Sequence, residues 1–94
     1  MQIRILKYIR YFEAVGPILL GKTDSHIDGT PRFYDQYCGL VFPGIIVELG
    51  NLVRREYDHK VKMAYEFTFN GRQYFFLNEE LNEESYQSMQ VSVQ

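Results

Sequence analysis

Three side chains with metal-binding chemistry alternate along one short segment of the chain. Asp24, His26 and Asp28 stand two residues apart, so an extended backbone would place all three on one face. An imidazole with two carboxylates suits zinc, iron or manganese. Asp-Ser and Asp-Gly are also common turn pairs. A solvated turn is therefore the favoured interpretation, and a small metal-dependent enzyme is kept as one alternative function.

The single cysteine, Cys38, is the only thiol that could act as a nucleophile. A catalytic thiol needs a base within hydrogen-bond reach, and no local signature places either histidine, His26 or His59, beside it. Cys38 precedes an apolar stretch, which is typical of a buried structural thiol. We therefore expect no catalytic residues, no cofactor and no enzymatic activity.

Basic side chains stand close to aromatic ones in two segments. The first segment carries Arg4, Lys7 and Arg10. The second segment supplies the candidate nucleic-acid-binding residues, which are Arg54, Arg55, Lys60 and Lys62. Small barrels hold single strands by combining basic groups with stacking aromatics. The net charge of −2 favours solvated strand faces instead, so nucleic-acid binding is a second alternative.

An acidic cluster and a group of aromatic residues have the composition of a protein-binding surface. Acidic surfaces steer basic partners towards them, and aromatic side chains are enriched at the centres of interfaces. The alternative for these residues is a solvated helix end and a barrel end closed by aromatics. The candidate partner-binding residues are Phe33, Tyr34, Tyr37, Glu79, Glu80, Glu83 and Glu84.

The strongest local pattern is a hairpin from Val61 to Leu77. Apolar and polar residues alternate up to Asn70-Gly71, a pair that tolerates the positive φ angles of a two-residue type I′ turn. A hairpin folded there has a core face with aromatic cross-strand pairs. The residues predicted on that face are Tyr65, Phe67, Tyr74 and Phe76.

The first half of the chain gives weaker signals. Residues 2–12 fit a strand or a helix, and their Ile and Tyr content favours a strand. Gly16-Pro17 is expected to end it, and Ile18–Leu20 to form a short second strand. Residues 21–39 contain many turn formers and are predicted to be irregular.

The centre and the end of the chain give further predictions. Ile45–Leu49 is a predicted strand, and Gly50-Asn51 is expected to turn it into a return strand or short helix ending at Tyr57. Asp58-His59 is expected to turn the chain again. Asn78 is a candidate N-cap of a helical turn near residues 78–84. An edge strand over 89–94 and a flexible tail over 85–94 are alternatives for the end.

The segment YEFTFNGRQYFFLNEEL, with FPGIIVEL before it, resembles part of the SH3-like small barrels. In these barrels two strands meet at a tight turn and run into a one-turn helix before the last strand. The resemblance covers Val41 to Leu81 and implies a small antiparallel barrel. Because such barrels host unrelated functions, it transfers no binding residues.

Composition places the chain among small globular domains. Its 94 residues are 46% hydrophobic and 16% aromatic, which is sufficient for one domain with its own core. The longest apolar run, Val15–Leu20, is interrupted and is far shorter than the roughly 20 residues of a membrane span. No signal-peptide pattern begins the chain, and one cysteine forms no internal disulfide. We therefore predict a cytoplasmic protein without membrane association.

These observations predict a mainly β fold, either a small antiparallel SH3-like barrel or a curled sheet, with one short helical turn. The favoured function is a non-catalytic interaction protein that binds another protein. It would act as an accessory subunit, an adaptor or a small inhibitor of the size that phages and mobile elements encode. A monomer and a homodimer paired through an exposed edge at residues 89–93 are both compatible with the sequence.

Overall fold

The computed structural model describes residues 1–17 and 33–89. Strands make up most of this part of the chain. They are β1 (Gln2–Ile5), β2 (Ile9–Pro17), β3 (Phe33–Val41), β4 (Ile46–Tyr57), β5 (Lys60–Phe69), β6 (Arg72–Leu77) and β7 (Tyr86–Ser88). One 3-10 turn covers Asn78–Glu80. No helix in these two ranges is long and apolar enough to cross a bilayer.

The strands form one sheet that curls back on itself. Its order is β3-β2-β6-β5-β4-β1-β7, and β3 also pairs with β4 in parallel where Tyr34 meets Glu56. This extra pairing joins β3, β2, β6, β5 and β4 into a ring, while the other strand pairs are antiparallel. The predicted fold class, a small antiparallel barrel or curled sheet with one helical turn, is confirmed.

Two tight turns connect the central strands. Asn70 and Gly71 have φ angles of 53° and 76° and join Phe69 to Arg72, which are partners in the β5–β6 ladder. Asp58 and His59 have φ angles of 53° and 62° and join β4 to β5. Positive φ at both central residues gives the twist that antiparallel strands need. Both predicted turns are confirmed.

The N-terminal segment forms two strands, where we expected one ending at Gly16-Pro17. The break lies at residues 6–8, because β1 pairs with β4 whereas β2 pairs with β3 and β6, so the chain must cross between them. β2 continues through Pro17, and a shift in the β2–β3 register between Ala14 and Pro17 accommodates the proline. Of the two interpretations of residues 2–12, the strand is correct.

The turn predicted at Gly50-Asn51 is wrong. β4 runs through both residues, and they form an irregularity between Leu49 and Leu52, which pair with Phe67 and Tyr65 of β5. The long partner strand supplies a continuous ladder, so the extra residues bend β4 without reversing it. The segment 49–57 is strand.

Part of the stretch predicted to be irregular is strand β3. From Phe33 onward the backbone pairs with β2, a partner far enough away in sequence that local turn signals do not reveal it. The register shifts where Tyr37 and Gly39 pair with successive β2 residues, which leaves Cys38 as a bulge. The predicted strand Ile18–Leu20 and residues 21–32 lie outside the described residues.

Two apolar cores lie on opposite faces of the sheet. Phe67 and Phe76 belong to the first core, and Tyr65 and Tyr74 pack against it, which confirms the predicted core face of the hairpin. The first core consists of Ile3, Ile5, Ile9, Val41, Val47, Leu49, Phe67 and Phe76. The second core consists of Phe12, Ala64, Phe75 and Leu77.

The hairpin buries side chains on both of its faces, where the sequence predicted one core face. Phe75 and Phe76 are neighbours in β6 and point to opposite sides, yet both are buried. Val61 and Met63, which alternation places on the same side of β5 as Tyr65 and Phe67, are 57% and 40% exposed. The first core covers only the part of β5 near the Asn70-Gly71 turn. Farther from this turn, Ala64 on the opposite face of β5 belongs to the second core.

The C-terminal part closes the first core. The predicted helical turn is present at Asn78–Glu80, but Leu77, not Asn78, occupies its N-cap position and no side chain caps it. Leu81 packs against the first core. Tyr86–Ser88, within the predicted tail, pairs with β1 as β7. Residues 90–94 lie outside the described residues.

Candidate interaction surface

Four large apolar side chains line the exposed end of the β2–β3 pair. Leu40 pairs with Arg10 and Tyr37 pairs with Phe12, so alternation places them on the face that carries the second core. Tyr8 and Phe42 continue this face, and their rings meet edge to face with centroids 5.6 Å apart. We call Tyr8, Tyr37, Leu40 and Phe42 the apolar row.

The apolar row is open to solvent. Tyr8 is 60% and Phe42 59% exposed, and Leu40 and Tyr37 are also exposed. Its inner end touches the second core, because the rings of Tyr37 and Phe12 meet with centroids 5.8 Å apart. Single exposed apolar residues are ordinary, but a row of four on one face is the kind of patch that marks a binding surface.

Ion pairs flank the apolar row. Arg10, the partner of Leu40, binds Glu80 through its Nε at 3.0 Å. Lys7, next to Tyr8, binds Glu84 through its Nζ at 3.1 Å. Both pairs join β2 or the residues before it to the segment after β6. Three of the four predicted glutamates are engaged in ion pairs, since Glu79 binds Lys62 at 2.9 Å.

A tight turn over residues 82–85 holds two of the glutamates, Glu83 and Glu84. The Asn82 amide donates to Ser85 Oγ at 2.8 Å, and the Ser85 hydroxyl donates to the Asn82 carbonyl at 2.9 Å. The Glu84 amide donates to Asn82 Oδ1 at 2.9 Å. The Leu6 amide donates to the Ser85 carbonyl at 2.8 Å, which anchors the turn to the segment that precedes Tyr8.

The lysine beside Glu79 also affects its ionisation. The hydrogen bond and charge of Lys62 lower the pKa of this carboxyl from its ordinary 4.5. Glu79 therefore stays charged at neutral pH. The acidic group is a set of charged side chains held by basic neighbours, which weakens it as an isolated acidic surface.

An ion pair between a buried carboxylate and a half-buried guanidinium lies farther along the same face. Asp35 of β3 accepts hydrogen bonds from Nε and Nη2 of Arg55 at 2.9 and 2.5 Å. The Arg55 guanidinium lies over the Phe75 ring, 4.4 Å from its centroid. Burial raises the pKa of Asp35 above its ordinary 3.8, and Arg55 opposes this shift. The pair ties β3 to β4 near the point where the ring closes.

The predicted aromatic group divides between two faces. Tyr37 belongs to the apolar row, whereas Tyr34 lies on the other face at the pairing with Glu56 and is half-buried. Phe33 begins β3, where its backbone pairs with Pro17. Of Tyr34 and Tyr37, only Tyr37 therefore joins the exposed surface.

The candidate nucleic-acid residues also divide. Arg55 is held by Asp35, and Lys62 by Glu79. Arg54 pairs with Met63 and faces the opposite side from its neighbour Arg55. Lys60 is exposed beside the Asp58-His59 turn. The structure does not gather these four cations on one surface.

The thiol lies at the surface, and the predicted metal ligands fall outside the described residues. Cys38 is exposed, contrary to the expected burial, because it is the bulge residue of β3. Desolvation, with the nearby Glu13 charge, raises the pKa of its thiol from 9.0, and a less ionised thiol is a weaker nucleophile. Asp24, His26 and Asp28 lie outside residues 1–17 and 33–89, and within those ranges no three metal-binding side chains converge.

The sequence prediction missed Tyr8, Leu40 and Phe42. Alternation along a strand would place Tyr8, Arg10 and Phe12 on a common face, but no local pattern indicates that Tyr8 stays exposed. Comparison with protein-family models, curated protein sequences and solved structures finds no match to this chain.

Proposed function

We propose that this domain is a non-catalytic interaction protein that binds another protein through the apolar row. The main support is that the exposed rings of Tyr8 and Phe42 meet edge to face. Leu40 and Tyr37 extend this apolar surface along the same face. Aromatic side chains that are already packed against each other lose little conformational entropy on binding. Accessory subunit, adaptor and small inhibitor are all roles of this kind.

The charged groups beside the row favour a partner with basic groups around an apolar patch. Lys7, Arg10 and Lys62 supply three positive charges, and Glu79, Glu80, Glu83 and Glu84 supply four negative ones, so the rim is acidic by one charge. Interfaces commonly have an apolar centre and a polar rim. In this proposal the row provides the affinity, and the glutamates orient the partner.

We further propose a cytoplasmic location, where a reducing environment keeps an exposed thiol such as Cys38 free. Binding there would require no cofactor.

Affinity capture from the native cells, followed by mass spectrometry, tests the proposal. The variant Tyr8→Ser/Phe42→Ser removes the outer half of the row and is expected to lose partners that the wild type captures. The matched control is Val61→Ser/Met63→Ser, which changes two exposed apolar residues on the opposite face. The control should retain the partners, because it leaves the row intact.

A second variant separates the row from its rim. Replacing all four glutamates by Lys is expected to abolish capture by reversing the charge beside the row, with circular dichroism showing that the sheet is retained. Identical partners for the wild type and the Tyr8→Ser/Phe42→Ser variant would contradict the role of the row.

A further inference from the structure

Strand β3 has one edge that the described part of the chain leaves largely open. One side of β3 pairs with β2 along its length. On the other side, the pairing found within residues 1–17 and 33–89 is the single contact of Tyr34 with Glu56. Beyond it, Gln36, Tyr37, Cys38 and Leu40 are exposed. Unpaired backbone groups on such an edge are a template for another strand.

This edge has neither a charged residue nor a proline that would hinder pairing with another strand. Residues 36–42 read QYCGLVF and contain no charged residue and no Pro. The preceding charge, Asp35, is buried and bound to Arg55. Proteins commonly guard edges with Lys, Pro or bulges. β3 has only the bulge at Cys38, and the strand is regular from Gly39 to Val41.

We infer that β3 pairs with β3 of a second copy of this chain. A two-fold axis at Leu40 would make the strands antiparallel and place Leu40 beside Leu40 of the second copy. A self-paired interface must be self-complementary, and an uncharged edge meets this condition because no like charges are brought together. An acidic or basic partner strand would find no opposite charge on the edge itself.

This self-association extends beyond the proposed function, because it uses the backbone of β3 and not the side chains of the row alone. Leu40 and Phe42 would also gain cross-strand contacts with the second copy. Two apolar rows would then lie side by side across the axis, which doubles the surface offered to a protein partner. The contact is small, so the dimer is expected to dissociate on dilution.

Sedimentation of the purified protein from low micromolar to millimolar concentration tests the inference. We expect a monomer–dimer equilibrium that Leu40→Lys weakens by about tenfold or more, because a lysine on each strand adds like charges at the axis. The control Thr68→Lys adds the same charge at an exposed position of the central strand β5 and should leave the equilibrium unchanged. A wild-type monomer at every concentration would overturn the inference, as would an unaffected Leu40→Lys dimer.

Disulfide cross-linking tests the same pairing independently and does not require a variant with weakened dimerisation. In a Cys38→Ser background, Leu40→Cys places a thiol at the axis, where directly opposed residues are close enough for a disulfide. Mild oxidation should link the two copies rapidly. The control Cys38→Ser with Leu52→Cys, also an exposed strand position, should link slowly. Equal rates would contradict the proposed pairing, whatever the outcome of partner capture.

Discussion

The first and second cores differ in what fills them. The first core is apolar throughout, and its centre is the stacked pair Phe67 and Phe76, with centroids 3.7 Å apart and rings inclined by 2°. The second core has four buried apolar residues, and the Asp35–Arg55 ion pair lies over its Phe75 ring. The first core is therefore stabilised by apolar burial alone, whereas the second core also includes the buried carboxylate of Asp35 with its half-buried partner Arg55.

One curled sheet thus supports an apolar environment on one face and a partly charged one on the other. Apolar burial is non-directional and does not depend on a particular partner. A buried charge is tolerated only with its partner in place. The stability of the second core therefore depends on a specific ion pair, whereas that of the first core does not. The second core also continues into the exposed apolar row through the contact of Phe12 with Tyr37.

Truncation of Phe76 should give the largest effect. Phe76→Ala removes a fully buried ring from the first core and is expected to lower the free energy of unfolding by about 3–5 kcal/mol, because it leaves a cavity and ends the stacking with Phe67. Urea unfolding followed by circular dichroism measures this loss. The exposed-site control Tyr8→Ala should cost far less. A loss below about 1 kcal/mol for Phe76→Ala would mean that the first core is not the main stabilising region.

Removal of Arg55 should give the next largest effect and depend on pH. Arg55→Met keeps an apolar chain over Phe75 but leaves Asp35 without its counter-charge, which is expected to cost about 3 kcal/mol at neutral pH. Without Arg55, the pKa of Asp35 rises further, since burial is then unopposed.

The direction in which pH changes the cost of Arg55→Met follows from the difference in proton binding between the folded and unfolded states. A carboxyl whose pKa is raised on folding binds more protons in the folded state, so stability falls as the pH rises from the unfolded pKa through the folded one. The cost of Arg55→Met should therefore be smaller below pH 3.8, the ordinary value for Asp35, than at pH 7. Urea unfolding at both pH values measures it, and an equal cost at both would show that Asp35 does not carry the effect.

The two hairpin turns should give the smallest effects, in opposite directions. His59→Gly removes the steric strain of a non-glycine residue at φ 62°. The added glycine also raises the entropy of the unfolded chain, so the expected net gain in the free energy of unfolding is only about 0.5 kcal/mol. Gly71→Ala, at φ 76°, should lower it by about 1 kcal/mol. Thermal unfolding detects both changes, and effects of the same sign would show that φ does not control these turns.

Local sequence determined the β5–β6 hairpin, because Asn70-Gly71 and the alternating aromatics act over short distances. It also indicated the strand character of the N-terminal segment and the helical turn after Leu77. These features depend on backbone preferences and on period-two patterns, which are properties of neighbouring residues.

Only the tertiary structure decided the ends of β2, the continuation of β4 through Gly50-Asn51 and the strand β3. Each depends on a partner strand distant in sequence. The same holds for the exposed row of Tyr8, Leu40 and Phe42 and for the pairing of Asp35 with Arg55. Burial is set by what packs against a residue, and an alternating strand does not specify which of its two faces will be covered along its whole length.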